Sequence, residues 1–202
     1  MRLGSLELGG RCRVMGILNV TPDSFYDGGH YDAVARGREM AANGAEIIDV
    51  GGESTRPGAP PVPEAEERER VVPVIAALAA ELEIPISIDS RKPAVARAAV
   101  EAGAVLVNDV GGLRDPEMVA TVAKLGVPAV VMHMQGTPET MQRDPDYNEV
   151  VADVKVWLAE RVATAKAAGI ARDHLIVDPG IGFGKTLEHN LTLMARLGEF
   201  QG

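Results

Sequence analysis

The feature that most constrains this chain is an alternation of six short apolar runs with longer amphipathic ones, each apolar run ending at polar residues. The apolar runs cover 14–18, 46–50, 85–88, 105–107, 129–132 and 175–177. They are mostly Val, Ile and Leu without polar alternation, as expected of parallel strands covered on both faces. The segments 33–43, 64–82, 94–102, 116–125, 149–168 and 187–197 read as helices. Gly44, Gly103, Gly126 and Gly169 stand where four of them close, and Asp115-Pro116 opens another. Six βα units result.

Where the polar residues fall separates an open doubly wound sheet from a barrel. Asn19 follows the first strand, Glu53 to Arg56 the second, Asp89 the third, Asn108 and Asp109 the fourth, His133 the fifth and Asp178 the sixth. In a (β/α) barrel all these ends meet at one mouth, and the site is built there from several strands. In an open sheet the outer strands lie far from the crevice and need no such tips. The sequence therefore predicts an α/β fold of the TIM (β/α)8 barrel type, in one domain over 1–202. Such a barrel has eight βα units in roughly 250 residues, so the expectation is that the last two units are absent here.

A formal charge of -9 and the lack of any basic block argue against nucleic acid or an anionic membrane as partner and favour a small molecule. The single cysteine, Cys12, allows neither an internal disulfide nor a zinc knuckle. The N-terminal residues carry no basic stretch followed by an apolar run, so a cytoplasmic protein is expected.

Three groups of residues carry chemistry. The segment 15–29 sets Asn19 before a loop pinned by Pro22 and Gly28-Gly29; its amide oxygen suits a hard Mg²⁺ that keeps most of its waters, or simply ends the strand in a turn. The loop 49–58 adds a Gly pair, Ser54, Thr55 and Arg56, donors suited to a diphosphate, although Pro57-Gly58 also close an ordinary turn. No Walker or dinucleotide-binding pattern is present. The third group is Asp89, Asn108 and Asp178 on three strands, with Met132 and Phe183 near. Converging buried carboxyl and amide groups ask for a ligand rich in N–H donors, such as a 2-amino-4-oxo pterin lying against Met132 and Phe183. Alternatively the two aspartates serve Lys, Arg or helix N-termini of the scaffold. His133 and His189 are too isolated for a metal pair and read as packed or solvated.

Taken in order, MGILNVTPDSFYDGG, GAEIIDVGGESTRPGA, PISIDSRKP, VLVNDVGG, VVMHMQGTPETM and DPGIGFGKTLEHNL resemble the successive blocks of the dihydropteroate synthase family, from Met15 to Leu191. The resemblance implies condensation of a dihydropterin methyl diphosphate with p-aminobenzoate to give dihydropteroate, a step of folate biosynthesis and a target of sulfonamides. It also implies Mg²⁺ as cofactor at Asn19, diphosphate contacts from Thr55 and Arg56, and pterin contacts from Asp89, Asn108 and Asp178 beside Met132 and Phe183. Asp23, Phe25 and Pro57 would sit in loops that close over the reacting carbon, Asp23 stabilising its developing positive charge and the others shaping the aminobenzoate pocket. A homodimer is the assembly it implies. Family members continue through two further βα units that bear a Lys-Ser block, an Arg and a His. Two other readings are a methyltetrahydrofolate-dependent methyltransferase of the same fold, for which the Asn19 and Ser54-Thr55-Arg56 loops would be idle, and a catalytically incomplete pterin-binding fragment.

Overall fold

The structure, a computed structural model, describes residues 1–20, 30–54 and 61–201. Two short strands, β1 (Arg2–Leu3) and β2 (Leu6–Glu7), form an antiparallel hairpin. Alternating elements follow: β3 (Met15–Asn19), α1 (His30–Ala42), β4 (Ile47–Gly51), α2 (Glu64–Glu81), β5 (Ile86–Asp89) and α3 (Pro93–Glu101). The second half holds β6 (Leu106–Asp109), α4 (Pro116–Leu125), β7 (Ala129–Met132), α5 (Val150–Ala167), β8 (Leu175–Asp178) and α6 (Leu187–Ala195). Short 3-10 turns lie at Arg172–His174 and Leu197–Phe200.

Strands β3 to β8 form one parallel sheet in strict chain order. A doubly wound sheet reverses its strand order at a switch point and carries helices on both faces. Here the order never reverses, and the helices share one face. Ile48, Val50, Ile86, Ile88, Val107 and Val131 face the helices, packing with Val74, Ile75 and Leu78 of α2, Val95 and Ala99 of α3, and Val154 and Leu158 of α5. The other face follows the period-2 alternation of a strand. Met15, Ile47, Leu106, Val130 and Ile176 form an apolar layer there with Leu3, Leu6 and Leu8 of the N-terminal segment. Consecutive parallel strands with helices outside and a filled inner face make six strands of the (β/α) barrel wall expected from the sequence.

Boundaries moved for a physical reason. The expected strands stopped at the last apolar residue, but four of them run on into the polar tips: Asn19, Asp89, Asn108-Asp109 and Asp178 are paired strand residues. Side-chain polarity does not end a ladder whose hydrogen bonds are made by the backbone. Expected and observed bounds agree for β7 and α4. Asp115 caps α4 by accepting from the Glu117 amide, and Gly126 closes it at φ 67. Helix α6 ends earlier than expected, at Ala195, with a 3-10 turn beyond it. The β1–β2 hairpin had no expected counterpart, because two-residue strands carry no readable period. Among the described residues no helix is long and apolar enough to cross a membrane.

Candidate functional site

The described strand ends gather the polar residues at one end of the sheet. Asn19 ends β3 and is exposed; Asp89 ends β5 and Asp178 ends β8, both half-buried; Asn108 lies in β6 and Met132, buried, ends β7. Asp89 pairs in register with both Gly51 and Asn108, and Met132 with Asp178. Gly51 is what leaves room between the first of these groups. A Cβ there would stand 3.4 Å from Asp89 Oδ2 and 3.6 Å from Asn19 Oδ1. Phe183, in the loop after β8, packs on Met132, Met134, Met141 and Val110, an apolar wall beside the carboxyl groups. Asp23, Phe25, Thr55, Arg56 and Pro57 lie outside the described residues.

The electrostatics of this mouth are unusual. Burial pushes the Asp89 carboxyl well above its ordinary range, and the negative neighbours Asp49, Glu67, Asp109 and Glu53 push it further. Burial also raises Asp178, opposed by the Gly180 amide, which donates to its Oδ1 at 2.7 Å, and by the charge of Lys185. Among the described residues neither Asp89 nor Asp178 has an ion-pair partner within 4.0 Å. The scaffold reading of these aspartates thus finds no cation in direct contact with either. Carboxyl groups with raised pKa values converging at a mouth mark a ligand site better than a structural one.

Four sets of contacts at the mouth escaped the sequence reading, two of them made by Glu53 and Asp109, which it named only as polar strand ends. Asp49, read as part of the 46–50 strand and the start of the following loop but given no role, is buried in β4 beneath the mouth, where its Oδ2 accepts from Asn108 Nδ2 at 2.8 Å. That contact fixes the Asn108 amide, leaving its carbonyl oxygen for a ligand. Asp49 Oδ1 and the register-paired Ser87 hydroxyl make no hydrogen bond of normal geometry. Burial raises the Asp49 carboxyl, partly offset by the nearby Ser87 and Asn108. The signal was the inward set Ile47, Asp49, Gly51, spaced by two.

Glu53 makes the second. It accepts from Arg91 at 2.5 Å, Lys92 at 2.6 Å and the Val62 amide at 2.9 Å, while Lys92 also pairs with the buried Glu67. Burial alone would raise Glu53, but these donors hold it below its ordinary value, and they tie the segment after β4 to that after β5. Third, Asp109 is buried and receives the Gly111 amide at 2.7 Å and the Leu113 amide at 2.8 Å, which shapes the turn after β6. Last, the loop after β8 hides Lys185, whose Nζ donates to Phe183 O at 2.8 Å and lies 3.1 Å from His133 Nδ1. His133 is accordingly packed, as its isolation suggested, and burial with the charges of Lys185 and Arg114 lowers it to about 3. His189 serves the capping box of α6 with Thr186.

Comparison with known proteins gives this geometry a context. Residues 15–202 match the family model of pterin binding enzymes. A dihydropteroate synthase of Escherichia coli is 51% identical over 191 residues, which cover 93% of this chain and 68% of the relative. A dihydropteroate synthase of Synechocystis is 46% identical, with 96% and 69% covered. Among solved structures, the Xanthomonas albilineans dihydropteroate synthase with 4-aminobenzoic acid superposes with a TM-score of 0.89 at 50% identity, covering 95% of this chain and 69% of that one. The Yersinia pestis dihydropteroate synthase with a sulfonamide drug gives a TM-score of 0.92 at 46% identity, covering 98% and 74%. The chain therefore spans about seven tenths of the length of these relatives.

Proposed function

The chain belongs to the family of dihydropteroate synthases, pterin-binding enzymes of folate biosynthesis, and from that premise we propose how its mouth handles the two substrates. It joins (7,8-dihydropterin-6-yl)methyl diphosphate to p-aminobenzoate, giving 7,8-dihydropteroate and diphosphate. The observation that carries the assignment of residues is the convergence of Asp89, Asn108 and Asp178 with no cation paired to either carboxyl group among the described residues.

A 2-amino-4-oxo pterin presents adjacent ring N–H and amino donors, which an ionised carboxylate accepts in bidentate fashion. Asp89 and Asp178 receive such donors, Asn108 adds its carbonyl oxygen, and Met132 and Phe183 cover the flat ring. Because burial favours the protonated carboxyl, ionisation is linked to arrival of the pterin. The N–H edge replaces the water and the proton that the carboxyl gives up.

The C–O bond from the pterin methylene to diphosphate breaks, a C–N bond to the aromatic amine forms, and the amine loses a proton. We assign Thr55 and Arg56 to the departing diphosphate, Asp23 to the developing positive charge on the pterin, and Phe25 and Pro57 to the aminobenzoate pocket. Thr55, Arg56 and Asp23 raise the rate by matching charge as it develops. Asn19 is the residue assigned to Mg²⁺. Its amide oxygen and an Asp89 oxygen border the space opened by Gly51, and among the described residues no cluster of three His, Cys, Asp or Glu could cage an ion. A hard cation that keeps waters and substrate oxygens suits so sparse a protein share. When bound, it neutralises charge gathering on the diphosphate.

A single barrel domain over 1–202, a cytoplasmic location and a homodimer complete the proposal. The test of function is diphosphate release from the dihydropterin diphosphate in Mg²⁺, with and without p-aminobenzoate. Release that requires the aminobenzoate is the expected result; release indifferent to it contradicts the synthase reading. Arg56→Ala should weaken the diphosphate-bearing pterin more than the free hydroxymethyl pterin, and equal losses would remove Arg56 from its assigned role.

A further inference from the structure

Lys185 is almost fully buried, at 4% exposure, and makes no ion pair among the described residues. An ammonium in that position is costly unless its protons are all received. Three acceptors surround it: Phe183 O at 2.8 Å, His133 Nδ1 at 3.1 Å and His133 O at 3.4 Å. An ammonium has three N–H donors, so the charged form is fully satisfied, and His133 must then present Nδ1 as an unprotonated acceptor.

Each of those acceptors belongs to a part of the pterin wall. His133 follows Met132 and donates its own amide to Asp178 O at 2.9 Å, so its carbonyl marks the joint between the tips of β7 and β8. Phe183 is the aromatic cover of the same wall. The loop between β8 and α6 needs such ties, because Gly180, Gly182 and Gly184 all adopt positive φ, and side chains pin it at several points. Tyr147 Oη donates to Gly184 O at 2.7 Å, and Gln142 Nε2 to Gly182 O at 3.0 Å. Lys185 differs from these in bringing a charge. Asp178 lies near enough for each to favour the charged form of the other, Asp178 falling and Lys185 rising against the burial that opposes both. The other titratable neighbours are the His133 imidazole, the Tyr147 ring with His189 against it, and Arg114, whose charge acts on His133. None of these is an anion at neutral pH.

We propose that Lys185 is a positioning residue of the pterin pocket: its buried ammonium clamps the carbonyls of His133, beside Met132, and of Phe183, and sets a positive charge in the wall that Asp178 shares. The inference rests on the pterin reading of Asp178 given above.

The test is calorimetric titration of 6-hydroxymethyl-7,8-dihydropterin into the full chain across the acid range, for the wild type and for Lys185→Met, Tyr147→Phe and Asp178→Asn, with each fold checked by circular dichroism. Methionine keeps the length and removes the charge. Tyr147→Phe cuts a tie to the same loop without touching charge. Lys185→Met is expected to weaken the pterin about tenfold and to move the acid limb of binding toward higher pH by about one pH unit, since a tenfold change in the balance of protonation states displaces a titration by that much. The direction follows from Asp178, whose pKa rises when the neighbouring cation is lost. Tyr147→Phe should leave the limb in place. Equal weakening in both variants with an unmoved limb would show a purely structural tie and overturn the proposal. If Asp178→Asn destroys binding while Lys185→Met changes neither affinity nor limb, the clamp alone is wrong. If Asp178→Asn binds normally, the pterin reading and the clamp fall together.

Discussion

The floor of the sheet and its mouth are built from the same strands and obey opposite rules. At the floor, Ile47, Leu106 and Val130 pack with Leu3 of the N-terminal hairpin in an apolar layer. Two residues further along the strands the inner face carries Asp49 and Asn108, and at the tips Asp89 and Asp178. The floor lowers the free energy of the fold by removing apolar surface from water. The mouth raises it, since four buried or half-buried aspartates, Asp49, Asp89, Asp109 and Asp178, are all pushed toward protonation. One strand thus gives its first residues to stability and its last, in the proposed function, to binding, and the destabilisation at the mouth is offset by the floor and by the helices outside.

The contrast is broken most directly at the floor. Leu106 is fully buried, so Leu106→Ala should destabilise the chain by about 2–5 kcal/mol, read from denaturant or thermal unfolding. The same variant should leave hydroxymethyl pterin affinity within about twofold once its folded fraction is accounted for. A large loss of affinity in the folded protein would mean that floor and mouth are not separable.

At the mouth the order of effects reverses. Asp178→Asn turns one of two acceptor oxygens into a donor facing the N–H groups of the pterin, and should weaken binding by at least about 100-fold with little loss of stability. Retained affinity would return Asp178 to the scaffold.

Asp89→Asn sharpens the comparison because stability should rise. The folded pKa of Asp89 lies well above the unfolded value, so the penalty is absent below the unfolded pKa, grows as pH climbs toward the folded one, and is constant beyond it. The variant should therefore melt about 3–5 °C higher at neutral pH, with the gain vanishing near about pH 4, while pterin affinity falls. Equal melting temperatures at neutral pH would show that the carboxyl is not held under strain. The smallest effect is expected outside both regions, at Arg196, whose ion pairs with Glu149 and Glu199 are exposed. Arg196→Ala should change neither melting nor binding measurably, as exposed pairs are screened by water and salt.

How much of this could be read from the sequence follows from which forces leave a local mark. Apolar runs and amphipathic stretches are local, so all six βα units were legible and most of their bounds fell within one residue, with β7 and α4 matched at both ends. The polar tips Asn19, Asp89, Asn108 and Asp178 were legible as a set, since each directly follows an apolar run. Asp49 was not, because it sits inside a strand and its partners come from the neighbouring strand β5 and from β6 one strand beyond. Lys185 was not, because its partners, His133 and the Phe183 carbonyl, are joined to it by the return of a glycine-rich loop. The pairing of Glu53 with Arg91 and Lys92 spans 38 and 39 residues of chain and leaves no pattern in either segment.

The central claim is that burial pushes the mouth carboxyl groups toward protonation and that the N–H edge of a pterin draws them back toward ionisation. Calorimetric titration of 6-hydroxymethyl-7,8-dihydropterin into the wild-type chain at about pH 6, in two buffers of different protonation enthalpy, counts the protons exchanged. The account predicts net proton release on binding, reduced in Asp89→Asn. Binding without proton exchange, or with proton uptake, would contradict it.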